Sequence, residues 1–185
     1  MKTSKSTPTP RDGEVDAIAL LKSHHRDVEH LFAKIVATTE RAEKLRRTLF
    51  GELATKIEAH AQIEEQHFYP EGRAVDKDMT LEAYEEHSCV RELIVRIKST
   101  EPTDESYLAK VTVLKELIEH HVEEEENEYF PKVQKALGKD KLLELGATMQ
   151  EQFDAMVAGE PVEAEEAPLL AKPTGKKSSG RALHA

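Results

Sequence analysis

Apolar residues recur at steps of three and four through several stretches of this chain, the spacing that lines up one face of an α-helix. Ile18, Leu21, His25, Val28, Phe32 and Ile35 form the first such stripe. A second runs through Leu53, Ile57, His60, Glu64 and Phe68, a third through Tyr84, His87, Val90, Ile94 and Ile97, and a fourth through Val111, Leu114, Ile118, His121 and Glu125. Each stripe carries a histidine where a plain seam would carry an aliphatic residue, and two also carry a glutamate. A carboxylate on a core-facing stripe is costly unless it is paired or bound to a metal.

Capping residues and breakers bound these stripes. The first helix is expected from about Asp12–Glu14, capped by Asp12, to Thr38, and the second from Ala42 to Tyr69, where Pro70 and Gly72 break or kink it. The third is expected from Met79 to Ser99, and the fourth from Thr103 or Asp104 to Leu137, with Gly138 as its C-cap. A further helix, Lys139 to Val157, places Leu142, Leu143, Leu145, Met149, Phe153 and Met156 on an apolar side, expected to pack on the rest. The fold class expected is therefore all-α: an up-down four-helix bundle over residues 12–137 with an additional C-terminal helix over 138–158. Low hydrophobicity and Pro, Ser and Gly content predict disordered tails at 1–11 and 159–185.

The chain also repeats itself. KIEAHAQIEEQHFYP, ending at Pro70, aligns on its proline with LIEHHVEEEENEYFP, ending at Pro131, which pairs His60 with His121, Glu64 with Glu125 and Glu65 with Glu126. At i and i+4 on a helix, a histidine and a glutamate stack on one face and aim the same way. His25 and His87 pair in the same repeat, shifted by one residue of loop. The predicted inner shell is His25, His60, Glu64, His87, His121 and Glu125, and a carboxylate can bridge two cations, so duplication predicts a two-metal site. His120 with Glu124 has the same local spacing, but the proline alignment and the apolar stripe both select the later pair. His24, His30 and His120 are expected exposed or behind the ligands. Glu64-x-x-His67 resembles half of the di-iron motif of ferritin-like bundles, but the repeat places Glu128 opposite His67, so the second half is absent.

These residues resemble the hemerythrin-like, or HHE cation-binding, domain over about residues 14 to 136, through the order H, H-x-x-x-E, H, H-x-x-x-E and the endings FYP and YFP. The resemblance implies an up-down four-helix bundle holding two iron ions (Fe2+/Fe3+) with a bridging oxo or hydroxo ligand. Glu64 and Glu125 would bridge, and His25, His60, His87 and His121 would be end ligands. Hemerythrins that carry dioxygen reversibly have a fifth histidine one turn before the third-helix ligand, and this chain has Ala83 there. Tyr84, Glu86, Glu29 and His67 are the candidates for a further ligand.

Mixed imidazole and carboxylate donors suit iron. The expected function is that of a non-haem di-iron protein binding or reacting with a small oxidant, O2, H2O2 or NO, in oxidative or nitrosative stress. The alternatives are a non-catalytic protein that binds, stores or senses oxygen or iron, and a helical scaffold that collects metals nonspecifically.

Composition narrows the setting. With 185 residues, 38% hydrophobic, 5% aromatic and no tryptophan, the chain suits one Leu, Ile, Val and Ala core. A formal charge of −10 argues against nucleic acid and anionic membranes as partners. No secretory segment and no apolar run of the ~20 residues a span needs are present, which predicts the cytoplasm. The single Cys89 cannot form an internal disulfide and is expected in the core, pointing away from the metals.

Overall fold

A computed structural model describes residues 15–39 and 41–159; the expected tail at 1–11, the Asp12 cap and all but the first residue of the expected tail at 159–185 lie outside them. The first helix, α1 (Ala17–Val36), starts later than expected because Asp16 caps it, accepting from the Ala19 N–H at 2.9 Å. It is followed by α2 (Glu43–Ile63), a π-helical turn (Glu64–Phe68) and the short α3 (Tyr69–Gly72). Next come α4 (Lys77–Lys98), α5 (Tyr107–Glu124), a second π turn (Glu125–Tyr129) and α6 (Phe130–Ala158).

Both π turns begin at the repeat's inward glutamate and end just before its aromatic-proline pair. Tyr69 N–H donates to the Glu64 carbonyl, and Phe130 N–H to the Glu125 carbonyl, the five-residue closure of a π turn. Proline lacks an N–H and crowds the carbonyl four residues earlier. A wider turn ahead of the ring accommodates both defects, so the chain passes Pro70 in helical form and the helix ends at Gly72, the second of the two residues expected to break or kink it.

Helix α6 crosses Gly138 at φ 74 and ψ 171, a backbone region glycine enters without steric cost, and there the end of the bundle meets the additional helix. Beyond it, Leu142, Leu145, Met149 and Phe153 share a core with Leu20, Leu21, Ala59 and Ile63, so this helix packs on α1 and α2. At the opposite end of the bundle, buried Arg46 donates to Pro102 O at 2.6 Å and Thr38 Oγ1 at 2.8 Å, tying two loops together.

The apolar interior falls into two clusters. One holds Leu20, Leu21, Ile63, Phe68, Tyr69, Ala83 and Phe130 with the end of α6, and the other holds Val28, Phe32, Leu53, Ile57, Val90, Ile94, Val111 and Leu114. Along every stripe the histidines and inward glutamates come between the residues of these clusters, so they form a polar layer inside the bundle. One expectation is corrected here. Cys89 is exposed, two residues beyond His87 on the outward side of α4. His24, expected exposed or behind the ligands, is buried next to His60, with Phe153 of α6 on its ring at 3.7 Å between centroids.

Candidate metal centre

The six side chains expected as an inner shell are all buried and meet in the polar layer. His60 Nε2 lies 3.1 Å from Glu64 Oε2, the contact that i, i+4 spacing delivers. His25 Nε2 stands 3.2 Å from His60 Nε2 and 3.4 Å from Glu125 Oε2. On the other side, His87 Nε2 stands 3.3 Å from His121 Nε2 and 3.5 Å from Glu64 Oε2, and His121 Nε2 is 3.6 Å from Glu125 Oε2. The result is two groups, His25–His60–Glu64–Glu125 and Glu64–His87–His121, in each of which the donor atoms lie within 4.8 Å of one another. Glu64 belongs to both groups, and Glu125 reaches a histidine of each.

Outside this layer, carboxylates hold the rings. Glu126 Oε1 lies 2.8 Å from His25 Nδ1, Glu65 Oε1 2.9 Å from His87 Nδ1, and Glu86 Oε2 2.7 Å from His121 Nδ1. A carboxylate at Nδ1 keeps the proton there and turns the Nε2 lone pair inward. Glu65 and Glu126 are repeat partners, each following an inward glutamate and each supporting the lone histidine of another helix. Sequence reasoning paired them without giving them a role, although their duplication was the signal. The orphan atoms supply the test of fit: Glu64 Oε1, Glu125 Oε2 and His60 Nδ1 are buried with no hydrogen-bond partner. Unpaired buried carboxylate oxygens are costly, and facing imidazole lone pairs repel unless something positive lies between them. The donor set fits cations.

Protons tell the same story. Burial opposes protonation of His121, but Glu125, Glu86 and Glu64 outweigh it and raise its pKa to about 9. Burial likewise opposes protonation of His25, and Glu125, Glu64 and Glu126 again prevail, raising it. His60 goes the other way, held well below its ordinary value by burial and the adjacent His25. Burial also lifts Glu64, against the pull of His87, His121 and His25.

Sequence reasoning missed Tyr69. Its hydroxyl donates to Glu125 Oε1 at 3.0 Å and approaches His87 Nε2 at 3.4 Å and Glu64 Oε2 at 3.5 Å. Its repeat partner Phe130 stacks on His25 as Tyr69 stacks on His87. The FYP and YFP endings held the signal, since only one places a phenol beside the proline. None of the four suggested extra ligands enters the layer. Tyr84 donates to Glu65 O, Glu86 supports His121, Glu29 pairs with Arg26 at the surface, and His67 bonds Gln152 on α6.

Residues 16–133 match the Hemerythrin HHE cation binding domain. The chain belongs to this family. An HHE domain-containing protein of known crystal structure, the Rv2633c homolog from Mycobacterium kansasii, superposes with a TM-score of 0.70 at 27% identity, covering 78% of this chain and 89% of that one. The uncharacterized protein Rv2633c of Mycobacterium tuberculosis is 26% identical over 117 residues, 63% of this chain and 71% of that protein. A DNA nickase of Nostoc sp. is 26% identical over 123 residues, 66% of this chain but only 34% of its own length, so this chain spans about a third of that relative. As an HHE domain, the bundle belongs to a cation-binding family, and its candidate ligands fall in two groups that share Glu64.

Proposed function

We propose that this HHE protein is a non-haem di-iron protein that binds or reacts with a small oxidant, dioxygen, hydrogen peroxide or nitric oxide. His25 and His60 would hold one ion and His87 and His121 the other, with Glu64 and Glu125 shared. When bound, an iron pair with an oxo or hydroxo bridge supplies two-electron redox chemistry. The chain's own residues do the rest. Glu65, Glu86 and Glu126 fix the tautomers of three histidines, and the Tyr69 hydroxyl offers a proton donor inside the layer.

The observation that carries this reading is a cavity of about 20 Å³ beside the four histidines, walled by Val28, Ile57, Ala61, Ile118 and Val122. A space of roughly 10–15 Å³ holds a single water. The cavity therefore has room for about one small molecule beside the histidines. Its apolar wall keeps bulk water from the layer.

A cytoplasmic setting is part of the proposal; among the described residues no helix is long and apolar enough to cross a membrane. The nicking named for the Nostoc relative is not carried over, since a net charge of −10 opposes a polyphosphate partner.

Metal analysis with absorption spectra of the oxidised protein tests the reading. Two irons per chain and near-ultraviolet oxo-to-iron bands, both lost in a Glu64→Ala, Glu125→Ala variant, are expected. Iron-loaded protein should consume peroxide or nitric oxide faster than that variant given equal iron. One iron per chain, or bands that survive the double substitution, would refute it.

A further inference from the structure

Glu86 faces two ways. Its Oε2 accepts from His121 Nδ1 at 2.7 Å, whereas its Oε1 lies 3.8 Å from Nε2 of His120. His120 Nε2 in turn lies 3.5 Å from Glu124 Oε1. His120 and Glu124 thus repeat, one position earlier on α5, the spacing of His121 and Glu125, and Glu86 closes the group from α4. The three donor atoms lie within 4.8 Å of one another. Unlike the inner six they meet water: the side chains of His120, Glu124 and Glu86 are 58%, 35% and 22% exposed.

Distances and charge both suit a cation. Two donors at bond lengths of about 2.0–2.2 Å from one first-row ion stand roughly 3–3.5 Å apart, so separations of 3.5 and 3.8 Å close onto an ion with small rotations of exposed side chains. Glu65 and Glu126 are neutralised by arginines, whereas among the described residues Glu86 and Glu124 make ion pairs with histidine alone. One imidazole with two carboxylates favours a first-row transition ion over calcium or magnesium.

A crevice links this group to the interior. It measures about 10 Å³ and is lined by Glu86 and Glu124 together with buried Ala83, His121 and Glu125. Glu125 is 3% exposed, and its Oε2 has no hydrogen-bond partner. Met79 and Tyr129 complete its lining, and Ala83, ending at Cβ, fills little of it.

We propose that Glu86, His120 and Glu124 form an outer site for a divalent transition ion, ferrous iron in the first place, and that the ion passes along the Ala83 crevice to the inner centre. The step is ligand exchange without change of oxidation state: carboxylates and imidazole of the outer group release the ion as Glu125 and His121 take it. The delivery role rests on the di-iron reading; binding at the outer site does not.

The test compares the full-length wild type with a His120→Ala, Glu124→Gln variant, which leaves the inner six residues and the Nδ1 supports intact. In anaerobic equilibrium dialysis against ferrous iron, the wild type is expected to retain one more equivalent than the variant. After rapid mixing with ferrous iron, the variant should fill its inner centre at least tenfold more slowly and reach the same final absorbance. Ala83→Leu should slow filling while keeping the additional equivalent. Equal stoichiometry in wild type and double variant overturns the outer site, and equal filling rates overturn delivery. If neither protein holds two inner irons, the di-iron reading fails, while the difference between the two still decides the outer site.

Discussion

Tyr69 and Glu125, 56 positions apart, meet inside the bundle with hydroxyl and carboxylate oxygens at 3.0 Å. The phenol stays protonated, because burial and the adjacent Glu125 and Glu64 push its pKa well above the ordinary value. It is therefore a standing donor to one of the two inward carboxylates of the candidate metal centre.

Replacing Tyr69 with phenylalanine leaves Glu125 Oε1 without its donor. A buried acceptor so stranded costs about 1–3 kcal/mol, and denaturant unfolding of the metal-free Tyr69→Phe protein should show a loss of that size. Iron stoichiometry should hold at the wild-type value. Unchanged stability would mean Glu125 Oε1 is satisfied by another donor.

Glu65→Ala and Glu126→Ala each remove the carboxylate that orients a lone histidine, His87 and His25 respectively. Partners of this kind are worth about 10–100-fold in metal affinity, and chelator competition should register that loss in each variant. The helical circular dichroism should stay unchanged, since both glutamates are partly exposed. Wild-type affinity in both variants would remove the orienting role.

Metal-free protein should lose stability as pH rises from about 6.5 to about 9. His121 has a folded pKa of about 9 against an ordinary 6.5, and His25 is shifted in the same direction. Between those values the folded state binds more protons than the unfolded one, so unfolding becomes easier as pH climbs. Metal-loaded protein should show the opposite slope, because cation and proton compete for the same nitrogens. Thermal melts of both forms across this window check the sign, and the loaded form should melt higher throughout.

Gly146→Ala pits two effects against each other. In a helix interior the change ordinarily gains about 0.5–1 kcal/mol. Here a Cβ would stand 2.3 Å from Val15 O and 2.8 Å from Ala17 N, so α6 must move off the start of α1. Overpacking of this kind costs about 1–3 kcal/mol, and a lowered melting temperature is the expected result. A raised one would mean the two segments do not press together in solution.

Much of this was legible in the chain. Helical stripes through His25, His60, His87 and His121 named both the bundle and the six residues of its polar layer, because i, i+4 geometry is local and a repeat shows which register is buried. Start and stop signals served less well: Asp16 caps α1 where Asp12 was expected, and the helix ahead of Pro70 widens into a π turn before ending at Gly72.

Local spacing determined which side chains share a face; only the tertiary structure decided what each face meets. His24 became buried because α6 returned over it with Phe153, and Cys89 stayed exposed because none of the described residues covers it on the back of α4. The carboxylates at Nδ1, the Tyr69 hydroxyl across the centre and the two-faced Glu86 join residues from different helices. Such partnerships depend on the rotation and depth at which helices pack, which no periodicity within a single helix encodes.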